Sequence, residues 1–250
     1  MRKEHLFAFA AFFFISLSAM TAVFAMEEAE KTVIISERFI DVTGDGKPEE
    51  LTLQGIKNKK EDPYFKNIFL EVVNSRDEKL RINAGTGIEP GLSFADLNHD
   101  GILDVLLNVS TGGSSGSSNY ILYTLKDFRP TDLSVPQVLN IDTSFQDGYQ
   151  AKAVIKPTSD VFTFDLKNRK QEYDQSGLYL NGKLNEPTEL IVNRFSSLTP
   201  VMIEGNQLGL KGVQLISGIT TSDSIAKVES SWFYTEGQWK LKRTKVYTLK

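Results

Sequence analysis

Two short stretches of this chain repeat one pattern. Asp41-Val42-Thr43-Gly44-Asp45-Gly46-Lys47-Pro48-Glu49 is the first, and Asp96-Leu97-Asn98-His99-Asp100-Gly101-Ile102-Leu103-Asp104 is the second. Each has an oxygen-bearing side chain at positions one, three, five and nine, and glycine at position six. Each runs directly into an apolar β-type segment, Leu51-Thr52-Leu53 in one and Val105-Leu106-Leu107 in the other. A β-type run also enters each loop, Arg38-Phe39-Ile40 the first and Leu92-Ser93-Phe94 the second, so each is expected to join two strands. The pair therefore predicts a β scaffold with acidic loops at its strand connections.

The oxygen spacing suits a hard divalent cation. Ca²⁺ takes six to eight oxygen ligands, mostly carboxylates and carbonyls. A tight loop offers them from alternate positions, and glycine at position six tolerates the positive φ of the turn. In the second loop the candidate ligands are the side chains of Asp96, Asn98, Asp100 and Asp104 with the carbonyl of Ile102. In the first they are Asp41, Thr43, Asp45 and Glu49 with the carbonyl of Lys47. Neither is an EF-hand loop, because position twelve is Thr52 or Leu107 rather than glutamate. Thr43 is a neutral ligand, and Glu49-Glu50 leaves open which glutamate closes the first loop, so the second loop is expected to bind more tightly. The plainer alternative is an Asx/Gly turn whose aspartates bond the local backbone without metal.

The rest of the chain reads as many short strands. Segments 32–35, 51–55, 67–73, 80–82, 105–109, 120–125, 149–155, 161–166, 190–192, 213–216, 225–228, 231–234 and 239–242 are rich in β-branched, aromatic and alternating apolar residues. Glycine-rich residues 85–91 and Ser/Gly-rich residues 110–118 are predicted connections, and Asn181-Gly182 marks a hairpin. No long stretch after residue 25 has a 3.6-residue apolar period. Asp41 and Asp96 lie 55 residues apart, and Met202, in a similar frame, lies 106 beyond Asp96, twice 53. The segment Leu198–Leu208 is predicted to be a degenerate copy without ligands. A repeat of about 53–55 residues holding several strands is the signature of blades or stacked β units. The expected fold is all-β with propeller-like units, closing as a small or incomplete propeller or standing as an open stack.

The loops at Asp41–Glu50 and Asp96–Val105 resemble those of FG-GAP/VCBS-type repeats in integrin-like β-propellers. The wider pattern is similar to small exported VCBS-repeat proteins of Gram-positive spore-forming bacteria. Thr111-Gly112-Gly113-Ser114, Asp147-Gly148-Tyr149 and the hairpin from Trp232 to Trp239 carry that wider similarity. The resemblance implies Ca²⁺ loops on a β scaffold at the cell exterior, and it implies no catalytic activity. The family's third loop is eroded here.

The ends set the expected location. Arg2 and Lys3 precede an apolar run from Leu6 to Ala25, and Val23-Phe24-Ala25 offers a cleavage site. Residues 1–25 read as a signal peptide, 26–35 as a leader and first strand, and 36–250 as a single β-repeat domain. An uncleaved segment would be a membrane anchor. Cleavage lowers the basic count from 28 to 26 and the acidic count from 32 to 31, a net charge of about −5. Such a balance argues against nucleic-acid binding, which needs clustered positive charge. The absence of cysteine rules out a disulfide framework and a lipid-anchored N-terminus.

Catalytic motifs are poor. Gly112-Gly113-Ser114-Ser115-Gly116 fits a nucleophile pattern, but the region that follows is a strand, and the one mature histidine, His99, precedes it. That single histidine and the lack of cysteine argue against zinc. Asp160, Asp165, Glu172 and Asp174 have no distinguishing spacing. Lys240, Lys242, Arg243, Lys245 and Lys250 line the last strand, as a patch for an anionic wall polymer or as the lysine-guarded face of an edge strand. The sequence thus predicts a non-catalytic exported calcium-binding β-repeat module with a protein or wall-polymer partner at the cell surface or envelope. The alternative is a hydrolase of cell-wall or exopolysaccharide, marked by two carboxylates facing a cleft outside the loops.

Overall fold

The computed structural model of the chain describes residues 31–57, 59 and 61–249. The signal segment and residues 26–30 of the leader lie outside the described residues. Within them the chain is all-β and antiparallel throughout.

The first half is one meander in which each strand pairs with its sequence neighbours. β1 (Lys31–Ile40), β2 (Glu49–Lys57), β3 (Phe65–Val73), β4 (Lys79–Ala95), β5 (Asp104–Ser110), β6 (Ser118–Thr124) and β7 (Thr131–Asp132) lie in that order. β1 is longer than the predicted run at 32–35 and continues through Ile40 across a bulge near Ile35. β4 has 17 residues. Its first part pairs with β3 as far as Gly87, and its second part pairs with β5 from Ile88 onward. Two four-stranded meanders therefore share one bent strand.

The glycine-rich stretch 85–91, predicted as a connection, is the bend inside β4. A Cβ on Gly87 would sit 2.3 Å from the carbonyl oxygen of Ser110, and one on Gly91 would sit 2.3 Å from Asn108 Oδ1. Glycine here lets β4 pass close to β5 while the pairing changes partner, as at a strand bend. Turn-forming composition does not distinguish such a kink from a loop.

The second half begins after the connection 133–140. β8 (Ile141–Gln146), β9 (Gln150–Ile155) and β10 (Asp160–Asp165) form a three-stranded sheet. A short helix α1 (Lys170–Gln175) follows, then the hairpin β11 (Tyr179–Leu180) and β12 (Lys183–Leu184). Asn181 and Gly182 both have positive φ, 55° and 80°, as the primed turn demands. β13 (Ile191–Glu204), β14 (Gln207–Ser217), β15 (Ser224–Thr235) and β16 (Gln238–Thr248) complete a four-stranded sheet. Here the predicted short runs merge into long strands: 225–228 and 231–234 are one strand, and the segment after Ile191 continues to Glu204.

Burial follows the alternation. In β15, Ala226, Val228, Ser230 and Trp232 face inward. The core has two main clusters and a bridge. Leu51, Leu53, Ile68, Leu70, Val72, Val105 and Leu107 pack in the first half. Phe145, Ile155, Tyr173, Tyr179, Ile216, Ile225 and Val228 pack in the second. Ala95, Leu97, Leu106 and Leu122 of the first half meet Phe195, Leu198 and Leu210 of the second. The buried tyrosines keep their hydroxyls bonded: Tyr149 to Asp174 at 2.8 Å, Tyr173 to Asp223 at 2.6 Å and Tyr179 to the carbonyl of Gln146 at 2.8 Å.

The four meanders begin at residues 31, 88, 141 and 191. Among the described residues no sheet closes on itself, and β1 and β7 are the free edges of the first. Also among them, no helix is long and apolar enough to cross a membrane.

Candidate metal site: the two acidic loops

Both acidic loops join the first and second strands of a meander, the first between β1 and β2 and the second between β4 and β5. In the second loop, Asp96 Oδ1 accepts from the backbone N–H of Asp100 at 3.1 Å, and its Oδ2 accepts from Gly101 at 3.1 Å. Asn98 Oδ1 accepts from Asp100 at 3.0 Å, and Asp100 Oδ1 from Ile102 at 3.1 Å. Positions one, three and five thus hold the loop's own backbone, and Gly101 turns at φ 85°.

Asp104 at position nine differs from these. Its side chain is fully buried. Oδ2 accepts from the N–H groups of Leu97 at 2.8 Å and Asn98 at 3.1 Å. Oδ1 is buried with no hydrogen-bond partner. Burial pushes the carboxyl up to about 6; the two N–H bonds oppose that, and the nearby charges of Asp100 and Asp96 add to it.

The first loop is closed by its own atoms. Asp41 accepts from the N–H groups of Thr43, Gly44 and Gly46 at 3.1, 2.7 and 2.9 Å, and Asp45 accepts from Lys47 at 2.8 Å. Glu49 is buried while Glu50 is exposed, which answers which glutamate reaches inward. Glu49 Oε2 accepts from Val42 N–H at 3.0 Å, and the Thr43 hydroxyl donates to Oε1 at 3.2 Å. Burial raises its carboxyl above the ordinary range. Unlike Asp104, Glu49 has both oxygens engaged.

The loops lie against each other and against the second half. A Cβ on Gly44 would be 2.6 Å from Ile102 Cδ1. The turn at 126–128 ties the two together: Asp127 N–H donates to the Thr43 carbonyl at 3.1 Å, and Lys126 Nζ lies 3.2 Å from Asp100 Oδ2. His99, at φ 64°, stacks on Phe233 of β15 with 4.6 Å between ring centroids. Its Nε2 is 2.8 Å from the carbonyl of Leu208 in β14. Sequence reasoning weighed His99 only as a zinc or catalytic residue and did not single out Lys126; the contacts of both span distances no local pattern signals.

As placed, no three or more Asp, Glu, His or Cys side chains among the described residues converge to hold a metal ion. The donor chemistry of the second loop still fits a hard cation. It offers three carboxylates, an amide and the Ile102 carbonyl, and the orphaned Asp104 Oδ1 is the atom a cation would satisfy. The first loop has no free carboxylate oxygen at position nine and does not fit in this arrangement.

The other motifs fall outside the loops. Ser114 Oγ bonds Thr221, and His99 is engaged at Leu208, so the G-x-S-x-G stretch has no Ser–His contact. Met202 lies in β13, and the connection after it is the two-residue turn Gly205-Asn206. Glu204 and Glu229 line one groove, but Lys242 and Lys227 pair them at 2.5 and 2.9 Å. Lys227, and the more distant Lys211 and Lys245, hold Glu229 below the usual carboxylate range.

Residues 139–247 match the sequence model of a family described as the YybI C-terminal domain. The match starts where the connection between the halves ends. The chain is similar to protein YybI of Bacillus subtilis (strain 168), 28% identical over 216 residues, which cover 83% of this chain and 82% of that protein. Among solved structures it is similar to the exotype rhamnogalacturonan lyase YesX (16% identity, TM-score 0.38) and to the Bacillus licheniformis rhamnogalacturonan lyase PL11 (12% identity, TM-score 0.36). Each likeness covers 86% of this chain and only 33% and 34% of the respective lyase, so the chain spans about a third of their length.

Proposed function

We propose that this chain is a non-catalytic, exported β module whose second acidic loop, Asp96–Asp104, binds calcium and braces the two halves of the molecule. The observation that carries it is the buried Asp104 Oδ1, which has no partner in a loop of otherwise satisfied oxygens. Leaving such an atom unpaired costs about 1–3 kcal/mol, and more for a charge. Asp96, Asn98, Asp100 and Ile102 would hold the ion with Asp104, and the ion would supply the positive charge that Asp104 lacks. His99, within that loop, sits on β14 and β15, so ordering the loop orders that contact. The first loop is a plain Asx/Gly turn in this reading.

The meanders starting at 31, 88, 141 and 191 favour repeat units of the predicted length, arranged as an open stack. The loop pattern supports kinship with FG-GAP/VCBS repeats, and the apolar N-terminal run supports a place in the envelope or outside the cell. The ion pairs of Glu204 and Glu229 weigh against the hydrolase alternative, and a proton donor at Glu229 would need a raised carboxyl rather than the lowered one its lysines give it.

Thermal unfolding with millimolar CaCl₂ and with EGTA tests the reading. Calcium that binds only the folded state raises the melting temperature by mass action. The rise is expected in the wild type and largely absent in Asp100→Ala. Equal melting temperatures in calcium and EGTA would leave both loops as turns.

A further inference from the structure

The outer face of the β13–β16 sheet carries a groove that the loops do not explain. In a flat sheet Glu204 on β13 and Lys242 on β16 would stand three strands apart, about 14 Å. Their side chains instead form an ion pair at 2.5 Å. The end of β13 therefore folds across the sheet. One extra residue in β13, Ile203, and one in β16, Lys242, at the register shifts of those strands supply the bend. Gly209 permits it, since a Cβ there would lie 2.7 Å from Ile203. The result is a groove of about 460 Å³ between residues 201–204 and 242–245.

Its lining combines two kinds of group. Lys211 faces Ser231 across β14 and β15, and Ser231 faces Arg243 across β15 and β16, so these three form one row. Lys245 lies opposite Glu229 in the next row. Among the described residues, Lys211, Arg243 and Lys245 make no ion pair within 4.0 Å; the groove's two carboxylates are taken by Lys242 and Lys227. Three cations without a close ion pair around one groove stand out on a chain with net charge −4. Between them, Ser231 and Glu229 offer acceptors for hydroxyl groups.

We propose that this groove binds an acidic glycan, a chain of hydroxylated sugar rings bearing carboxylates. Lys211, Arg243 and Lys245 hold the carboxylates, with the Arg243 fork suited to a two-point contact. Ser231 and Glu229 take the sugar hydroxyls. A bilayer surface is the poorer match because the cations border a groove under the folded end of β13, with Lys211 half-buried in it, rather than lying on a flat face. The groove is separate from the acidic loops, so the proposal stands whether or not they hold calcium.

Calorimetric titration of the full chain with a hexameric oligoguluronate tests it, in EGTA because uronates themselves chelate calcium. Maltohexaose serves as the neutral control. Binding is expected for the acidic hexamer alone and weakens about 15-fold between about 50 and 200 mM salt, the effect of roughly two released counterions. Lys211→Gln/Arg243→Gln/Lys245→Gln lowers affinity at least about tenfold, and the exposed pair Arg243→Gln/Lys245→Gln lowers it by at least about threefold. Arg129→Gln/Lys152→Gln/Lys183→Gln, with the same charge change elsewhere, leaves it unaltered. Absence of binding, equal binding of maltohexaose, equal weakening by both triple variants, or binding to phosphatidylglycerol vesicles in place of the hexamer would overturn the proposal.

Discussion

Replacing Asp104 by asparagine separates the cost of a buried charge from the benefit of a cation. The Asp104 side chain is fully buried, and its carboxyl rises from 3.8 to about 6. A shift of that size corresponds to roughly 3 kcal/mol against the charged form at neutral pH, an upper figure for a calcium-free protein. The folded state then holds this proton more tightly than the unfolded state. In chelator, stability from this group is full below about pH 4 and is lost as pH rises toward about 6. Asparagine keeps an oxygen for the N–H groups of Leu97 and Asn98 and carries no charge. Its NH₂ occupies the place of the unpartnered Oδ1, which takes back about 1–2 kcal/mol.

Asp104→Asn is therefore expected to be more stable than wild type by about 1–2 kcal/mol in EGTA at pH 7, a rise of roughly 2–8 °C for a chain of this size. Calcium reverses the order. Wild type gains about 2.7 kcal/mol at a hundredfold excess over its dissociation constant, and the variant gains nothing. Melting curves from pH 4 to 8 with calcium and with EGTA give the readout. If Asp104→Asn is less stable than wild type in EGTA, or gains as much from calcium, the account of the buried carboxylate is refuted.

Three further outcomes follow from the loops and the bend. His99→Ala loses the Phe233 stack and the Leu208 contact, and denaturant titration is expected to show a loss of about 1–3 kcal/mol. Lys126→Gln removes the cation beside Asp100; calcium affinity, measured calorimetrically, is expected to rise several-fold as the local charge becomes more negative. Gly87→Ala places a Cβ against the Ser110 carbonyl, and a loss of about 1–3 kcal/mol in the same denaturant assay is expected, with Gly46→Ala, where no atom lies within 4 Å, costing less despite its own positive φ.

The β character of the chain was legible because short alternating runs, turn signals and missing helical periodicity all agreed. The two loops were legible for a related reason: Asp41–Glu49 and Asp96–Asp104 are contiguous, and their geometry is set by neighbours in sequence. Glu49 and Asp104 look equivalent on paper, yet a Thr43 hydroxyl satisfies the second oxygen of Glu49 and nothing satisfies Oδ1 of Asp104. That difference depends on side-chain direction within a fold. Gly85 to Gly91 misled because a glycine that bends a strand and a glycine that ends one are the same residue. The ion pair between Glu204 and Lys242 was invisible, since it depends on how strongly a four-stranded sheet curls.

The shared strand β4 has a mechanical consequence. Its hydrogen bonds to β3 and β5 belong to one continuous backbone, so the first two meanders cannot peel apart without breaking that strand's own ladder. No strand bridges residues 133–140 in the same way. Between the halves stand side-chain contacts, among them His99 Nε2 on the Leu208 carbonyl at 2.8 Å and the Tyr120 hydroxyl on the Ser196 carbonyl at 3.4 Å. Under tension applied at its ends, the molecule yields first at that connection, and residues 31–132 travel as one load-carrying block.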